Sequence, residues 1–120
     1  MTALRVISGV KYSRSVAVNS YQSRGGREVI VTKKLVLDVL KPLLPNTLEF
    51  ARHLNSELPN VDVHVKVAGV DDKTQDVIIT LTGELDYDHI HSVLGSLGAS
   101  VHSIDEVLTI YVEPPPDKAD

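Results

Sequence analysis

Apolar and polar residues alternate along four stretches of this chain and recur at helical spacing along two others. From Thr32 to Lys41, Leu35, Leu37 and Val39 fall on one face and Val36, Asp38 and Leu40 on the other. This predicts a central strand carrying one charge on its open side, ended by Pro42 and Pro45. Asn46-Thr47-Leu48-Glu49 then supplies a capping residue with Glu three positions on, the signature of a helix start. Leu48, Ala51, Leu54 (with Phe50) and Leu58 follow near helical spacing, and Pro59-Asn60 stops the helix. Val61, Val63, Val65 and Val67 alternate with Asp62, His64, Lys66 and Ala68, which predicts a half-buried strand. Asp71-Asp72-Lys73-Thr74 reads as a turn, and Val77 to Thr82 as the returning strand of a hairpin closed by Gly83. Asp86 is placed to cap a second helix, with Ile90, Val93, Leu94 and Leu97 on one face and Gly98 just past its end. Val101 to Val112 is the last strand, and it runs into Pro114-Pro115-Pro116.

The order β-α-β-β-α-β predicts an α+β fold of the ferredoxin-like kind. In it, right-handed crossovers set two helices on one face of a four-stranded antiparallel sheet. The other face stays uncovered, and Val36, Leu40 and Ile78 or its neighbours lie on it. That exposure predicts a homo-oligomer joined through the sheet face or through strand edges.

Composition narrows the functional classes. The 120 residues contain no Cys, which removes thiol nucleophiles, disulfide staples, zinc–cysteine and iron–sulfur sites and the paired cysteines of a copper chaperone. No apolar run approaches a membrane span, so the chain is expected to be soluble, cytoplasmic and without a membrane partner. The net charge of −4 conceals two unlike parts. Residues 1–30 carry Arg5, Lys11, Arg14, Arg24 and Arg27 against Glu28, which leaves 7 positive and 15 negative charges, a net of −8, on the remainder. An acidic body without stacking aromatics on its central strands argues against nucleic acid as a partner. Lys41-Pro42-Leu43-Leu44-Pro45 has neither the Arg nor the Gly-rich nest that an acylphosphatase-like anion site requires.

The body resembles an archaeal family known only as domain of unknown function 211. Three segments carry the resemblance: Leu35-Val36-Leu37-Asp38-Val39-Leu40-Lys41-Pro42, the acidic lead-in Gly83-Glu84-Leu85-Asp86-Tyr87-Asp88-His89-Ile90, and His102-Ser103-Ile104-Asp105-Glu106-Val107 in the last strand. It spans about residues 32–112 and implies a ferredoxin-like fold assembled into homo-oligomers, with no biochemical activity attached. The chain departs from the family after Lys41-Pro42, where a histidine and an acid are common and Leu43 and Leu44 stand instead.

Three regions follow: a basic extension over residues 1–30, a ferredoxin-like domain over 31–113, and a proline-rich charged tail over 114–120. The extension admits more than one reading. It is an arm with strand-like stretches around Leu4–Ser8 and Ser15–Ser20, or a segment resembling an organelle transit peptide. It also reads as sequence upstream of a true start at Val31, since Arg27-Glu28-Val29-Ile30 can be encoded by a ribosome-binding complement.

Candidate chemistry rests on carboxylates. Glu84, Asp86 and Asp88 alternate in a loop and, with Asp38, Asp105 and Glu106, are the candidate ligands for a divalent cation such as Ca²⁺ or Mg²⁺. Against this, Asp86 serves equally as an N-cap and Asp88 as a helix-dipole partner. Asp38 lies on a strand neighbouring His102, Asp105 and Glu106, but alternation lets only one parity of that strand share its face. His89 and His91 stand two apart on a helix, and His53 and His64 on separate elements, so none forms a zinc pair. The expected function is a non-enzymatic binding or regulatory module taking a divalent cation or small ligand through carboxylates. The alternatives are a metal-assisted enzyme using Asp38, His102, Asp105 and Glu106, and a purely structural assembly protein.

Overall fold

The computed structural model describes residues 21–22 and 29–113. The strand-like stretches expected near residues 4–8 and 15–20 and the tail over 114–120 lie outside them. The elements are β1 (Tyr21–Gln22), β2 (Val29–Pro42), α1 (Thr47–Glu57), β3 (Val61–Val70), β4 (Thr74–Gly83), α2 (Tyr87–Ser96) and β5 (Ser100–Val112). The chain divides into two units, and Thr32–Leu108 is the one that contains both helices. In the other, Tyr21 and Gln22 pair antiparallel with Ile30 and Val29.

Within Thr32–Leu108 the strands lie in the order β3-β4-β2-β5. Lys34 sits opposite Thr82, Asp38 opposite Ile78 and Leu40 opposite Asp76, and β3 continues the antiparallel ladder with Asp62 opposite Thr82 and His64 opposite Thr80. Lys34 meets Glu106 while Asp38 meets His102, so ascending β2 descends β5 and this pair is antiparallel too. The fold is the ferredoxin-like β-α-β-β-α-β arrangement that the periodicity predicts.

One sheet face carries Leu35, Leu37, Val39, Val77, Ile79 and Leu81, all buried against Phe50, Leu54 and Leu58 of the α1 region and Ile90, Val93 and Leu94 of α2. Both helices therefore cover the same face. The second helix buries the stripe expected of it. The first is rotated from expectation: Phe50, Leu54 and Leu58 point inward, whereas Leu48 is 58% exposed. Positions 48, 51, 54 and 58 and positions 50, 54 and 58 are both compatible with helical spacing, and the larger aromatic side chain occupies the core.

The ends of the elements have local causes. The Asn46 side chain accepts a hydrogen bond from the Glu49 backbone N–H at 2.9 Å, as the capping signature predicts. The reciprocal half of the box is absent, because the Glu49 carboxylate pairs with Arg52 at 3.1 Å instead. Asp86 caps α2 by accepting from the His89 N–H at 3.0 Å. Gly83 ends β4 at φ 139°, and a Cβ there would lie 2.7 Å from the Asn60 carbonyl oxygen, so only glycine fits where β4 closes on β3. Gly98 follows α2 at φ 76°, the left-handed residue expected past a helix end.

The β3–β4 turn is built on Asp71. Its carboxylate accepts from the backbone N–H groups of Lys73 at 2.9 Å and Thr74 at 2.8 Å, and from the Thr74 hydroxyl. These bonds favour the ionised form and hold the Asp71 carboxyl below the usual aspartate range, the Lys73 backbone contact contributing most. The stabilisation is present above the ordinary aspartate value and is lost as pH falls through the lowered one. Asp71→Asn is therefore expected to flatten the acid limb of a stability–pH curve in that window. Parallel curves for the two proteins would remove the turn from the acid response.

Candidate functional site

The sheet face opposite the helices carries the even-numbered side chains of β2 and β4. Lys34, Val36, Asp38 and Leu40 lie beside Thr82, Thr80, Ile78 and Asp76 in register. The same ladder places Asp62, His64 and Lys66 of β3 on this face. His102, Ile104 and Glu106 of β5 join it, since side chains alternate and both His102 and Glu106 reach residues of β2 there. The result is an apolar centre of Val36, Ile78, Leu40 and Ile104 bordered by charges. Leu40 and Ile104 are 41% and 47% exposed.

The six candidate ligands do not converge within the chain. Asp38, on β2, has its Oδ2 at 3.6 Å from His102 Nδ1, an ion-pair distance for a protonated imidazole but longer than a hydrogen bond. Glu106 shares that face and is paired with Lys34 at 3.1 Å. Asp105 points to the opposite side of β5, where it accepts a hydrogen bond from the Ser103 hydroxyl at 2.6 Å. Asp105 is thus separated from Asp38 and His102, which divides the set named for metal-assisted chemistry between two faces. Asp86 is occupied as the α2 cap, while Glu84 is exposed on the lead-in to that helix and Asp88 is exposed in its first turn. Among the described residues, no three His, Asp or Glu side chains are grouped closely enough to hold a metal ion.

Two of the other histidines, His89 and His91, serve the helical layer. His89 Nε2 lies 3.2 Å from the Glu57 carbonyl oxygen, joining α2 to the end of α1, and the His91 ring stacks obliquely on Tyr87 at 5.8 Å between centroids. The loop after β2 carries Leu43 and Leu44 and is apolar and open, with Leu44 77% exposed. Among the described residues no helix is long and apolar enough to cross a membrane.

One polar residue escapes the pattern-based list. Lys41 is fully buried. Its ammonium donates to the Pro42 carbonyl at 2.7 Å and to Gln75 Oε1 at 2.9 Å, and it lies 5.3 Å from the centroid of the Phe50 ring. Two acceptors and an aromatic face satisfy a charge that, among the described residues, has no carboxylate paired with it. Burial lowers its pKa, because desolvation disfavours the charged form. The signal was available in the sequence: Lys41 continues the inward parity of Leu35, Leu37 and Val39.

An uncharacterized protein of Methanocaldococcus jannaschii is 42% identical over 78 residues, a match covering 63% of this chain and 79% of that protein. Residues 33–111 match the family described as uncharacterized ArCR, domain of unknown function 211. That span runs from β2 through the paired strand β5, and it contains the whole of the open sheet face with its Asp38–His102 and Lys34–Glu106 pairs. With so much of its length matched, from first core strand to last, the chain belongs to this archaeal family.

Proposed function

We propose that the chain is a cytoplasmic, non-enzymatic binding module that works as a homo-oligomer, its subunits meeting through the open sheet face. A divalent cation, Ca²⁺ or Mg²⁺, or a small ligand is then held by carboxylates brought together from more than one subunit. The observation that supports this reading is the face itself, where Val36, Leu40, Ile78 and Ile104 form an apolar centre within a charged border. An apolar centre with a polar rim is the anatomy of a protein interface. Hard cations take six to eight oxygen ligands. The dispersed carboxylates of one protomer supply too few at any one point, and association is the way to assemble more.

Two measurements test the two halves. Sedimentation of the full chain is expected to give a mass that is a multiple of the protomer's, and Val36→Glu, which places a charge at the apolar centre, is expected to return it to the protomer mass. Calorimetry with Ca²⁺ and Mg²⁺ on metal-stripped protein is expected to show heat of binding and a raised melting temperature. A protomer-sized wild type defeats the assembly reading; no heat and no thermal shift defeat the cation reading.

A further inference from the structure

We propose that the apolar loop after β2 and the first turn of α1 in one copy of this chain dock on the open sheet face of the next, so that the copies assemble head to tail. The inference rests on the assembly reading above and names the surface that covers the face. Leu43, Leu44, Leu48 and Val70 carry it, because all four are exposed, Val70 at 63%. Apolar side chains gathered at one exposed place mark a contact surface, whereas scattered ones do not.

Lys41 is what gathers them. Its ammonium donates to Gln75 Oε1, and Gln75 lies opposite Val70 in the β3–β4 ladder. The same ammonium lies 5.3 Å from the ring of Phe50, in the first turn of the helix that begins at Thr47. The end of β2, the end of β3 and the start of α1 are thereby held together at one end of the Thr32–Leu108 unit, and Leu43 and Leu44 follow β2 directly. The open face, with Val36, Ile78 and Ile104 near its centre, belongs to the same unit. One unit thus bears two separate bare apolar surfaces.

Charge decides how the two are matched. Lys34 and Lys66 share the open face with Asp38, Asp62, Asp76 and Glu106, two positive charges against four negative, a net of −2 with the imidazoles neutral. Laying two such faces together would desolvate carboxylates that have no cation to meet, which is costly. A reciprocal pair, with each loop on the other's face, lays the faces together as well. The loop brings no such conflict, because Pro42 to Leu48 contains no charged residue. In the adjoining β3–β4 turn, Asp71 is engaged by the Lys73 and Thr74 backbone N–H groups, and Asp72 and Lys73 offset one another. An uncharged apolar tip can reach Val36 and Ile78 while the carboxylates at the border stay in water. An acidic partner such as a nucleic acid is repelled by that border. A basic foreign partner suits the border but leaves Leu43, Leu44 and Leu48 bare, whereas a second copy covers both surfaces with one contact. Such a contact uses different surfaces on its two sides, so it continues to a third copy and closes as a ring or grows.

Sedimentation velocity of the full chain tests this. The wild type is expected to have the mass of three or more protomers. Leu44→Glu and Leu48→Glu, at exposed positions, are expected to weaken association at least about thirtyfold, as is Val36→Glu on the face. The decisive arm mixes Leu44→Glu with Val36→Glu. One keeps a sound face and the other a sound loop, so the mixture is expected to give a one-to-one pair that grows no further, while each variant alone stays a protomer. Ile104→Glu serves as the second face variant and is expected to pair with Leu44→Glu in the same way. Leu44→Glu that assembles like the wild type while Val36→Glu does not overturns the loop contact and leaves the assembly reading standing. A wild type of two protomers, or mixtures that form no pair, overturn it as well. A protomer-sized wild type, or assembly indifferent to both face variants, defeats the assembly reading and the loop contact together.

Discussion

Phe50→Ala is expected to destabilise the protein by about 3–5 kcal/mol, the usual cost of emptying a buried aromatic site. Phe50 is fully buried between the first helix and the sheet, and it is the chain's single phenylalanine. Its loss leaves a cavity and also strips Lys41 of the ring beneath its ammonium. Domains of this size have about 5–15 kcal/mol of stability in all, so the variant is expected to melt far below the wild type or to be partly unfolded at ambient temperature. Leu48→Ala is the control on the same helix. Leu48 is exposed, and its truncation is expected to change stability by no more than about 0.5 kcal/mol. Denaturant titration of the two variants measures both numbers. Comparable losses would mean that the first helix presents both residues to the core.

The second large effect concerns Lys41. Lys41→Ala removes a fully buried stem and leaves the Pro42 carbonyl and Gln75 Oε1 without their donor. Packing loss and the two deserted acceptors together are expected to cost about 2–4 kcal/mol. Lys41→Met keeps the length of the stem while removing the charge, and replacing a desolvated ion with an apolar group of similar volume is often close to neutral. The methionine variant is therefore expected to recover the packing part of the loss, while the same two acceptors stay without a donor. The two also differ in pH dependence. Because the folded-state pKa of Lys41 is lowered from 10.5, the unfolded chain binds more protons between the lowered value and 10.5. Wild-type stability thus gains a contribution as pH rises through that window, and Lys41→Met lacks it. Urea midpoints of wild type and Lys41→Met across alkaline pH read this directly. Curves that stay parallel would show that the buried ammonium is not the source.

These two residues also mark where reading along the chain succeeds and where it stops. Parity alone assigns Lys41 to the inward face with Leu35, Leu37 and Val39, yet it says nothing of how a charge is tolerated there. Gln75 lies 34 positions away in sequence, and Phe50 is delivered by the following helix. Both partners are products of tertiary contact. The rotation of the first helix is a similar case, because two overlapping sets of positions satisfy the same period and the facing sheet selects between them.

The candidate site divides along the same line. Alternation placed Asp38 on the open side of its strand together with Val36 and Leu40, and the acidic residue before the second helix was recognisable as a cap. What remained open was which residues of the last strand stand beside Asp38. His102 and Glu106 have one parity, Ser103 and Asp105 the other, and only the alignment of β5 on β2 decides between them. Register is a nonlocal quantity: a slip of one residue moves every side chain of a strand to the other face without changing its local pattern.

By itself, then, the order of residues determined the element sequence, the inward and outward faces of the first core strand, the helix caps and the bare second face of the sheet. All of these follow from periodicity and from capping within a few positions along the backbone. Tertiary structure alone decided that Asp105 turns away from Asp38, that Glu106 pairs with Lys34, and that the six candidate carboxylates stay dispersed within the chain. These depend on which strand lies beside which and in what alignment, and backbone hydrogen bonding between distant segments sets that.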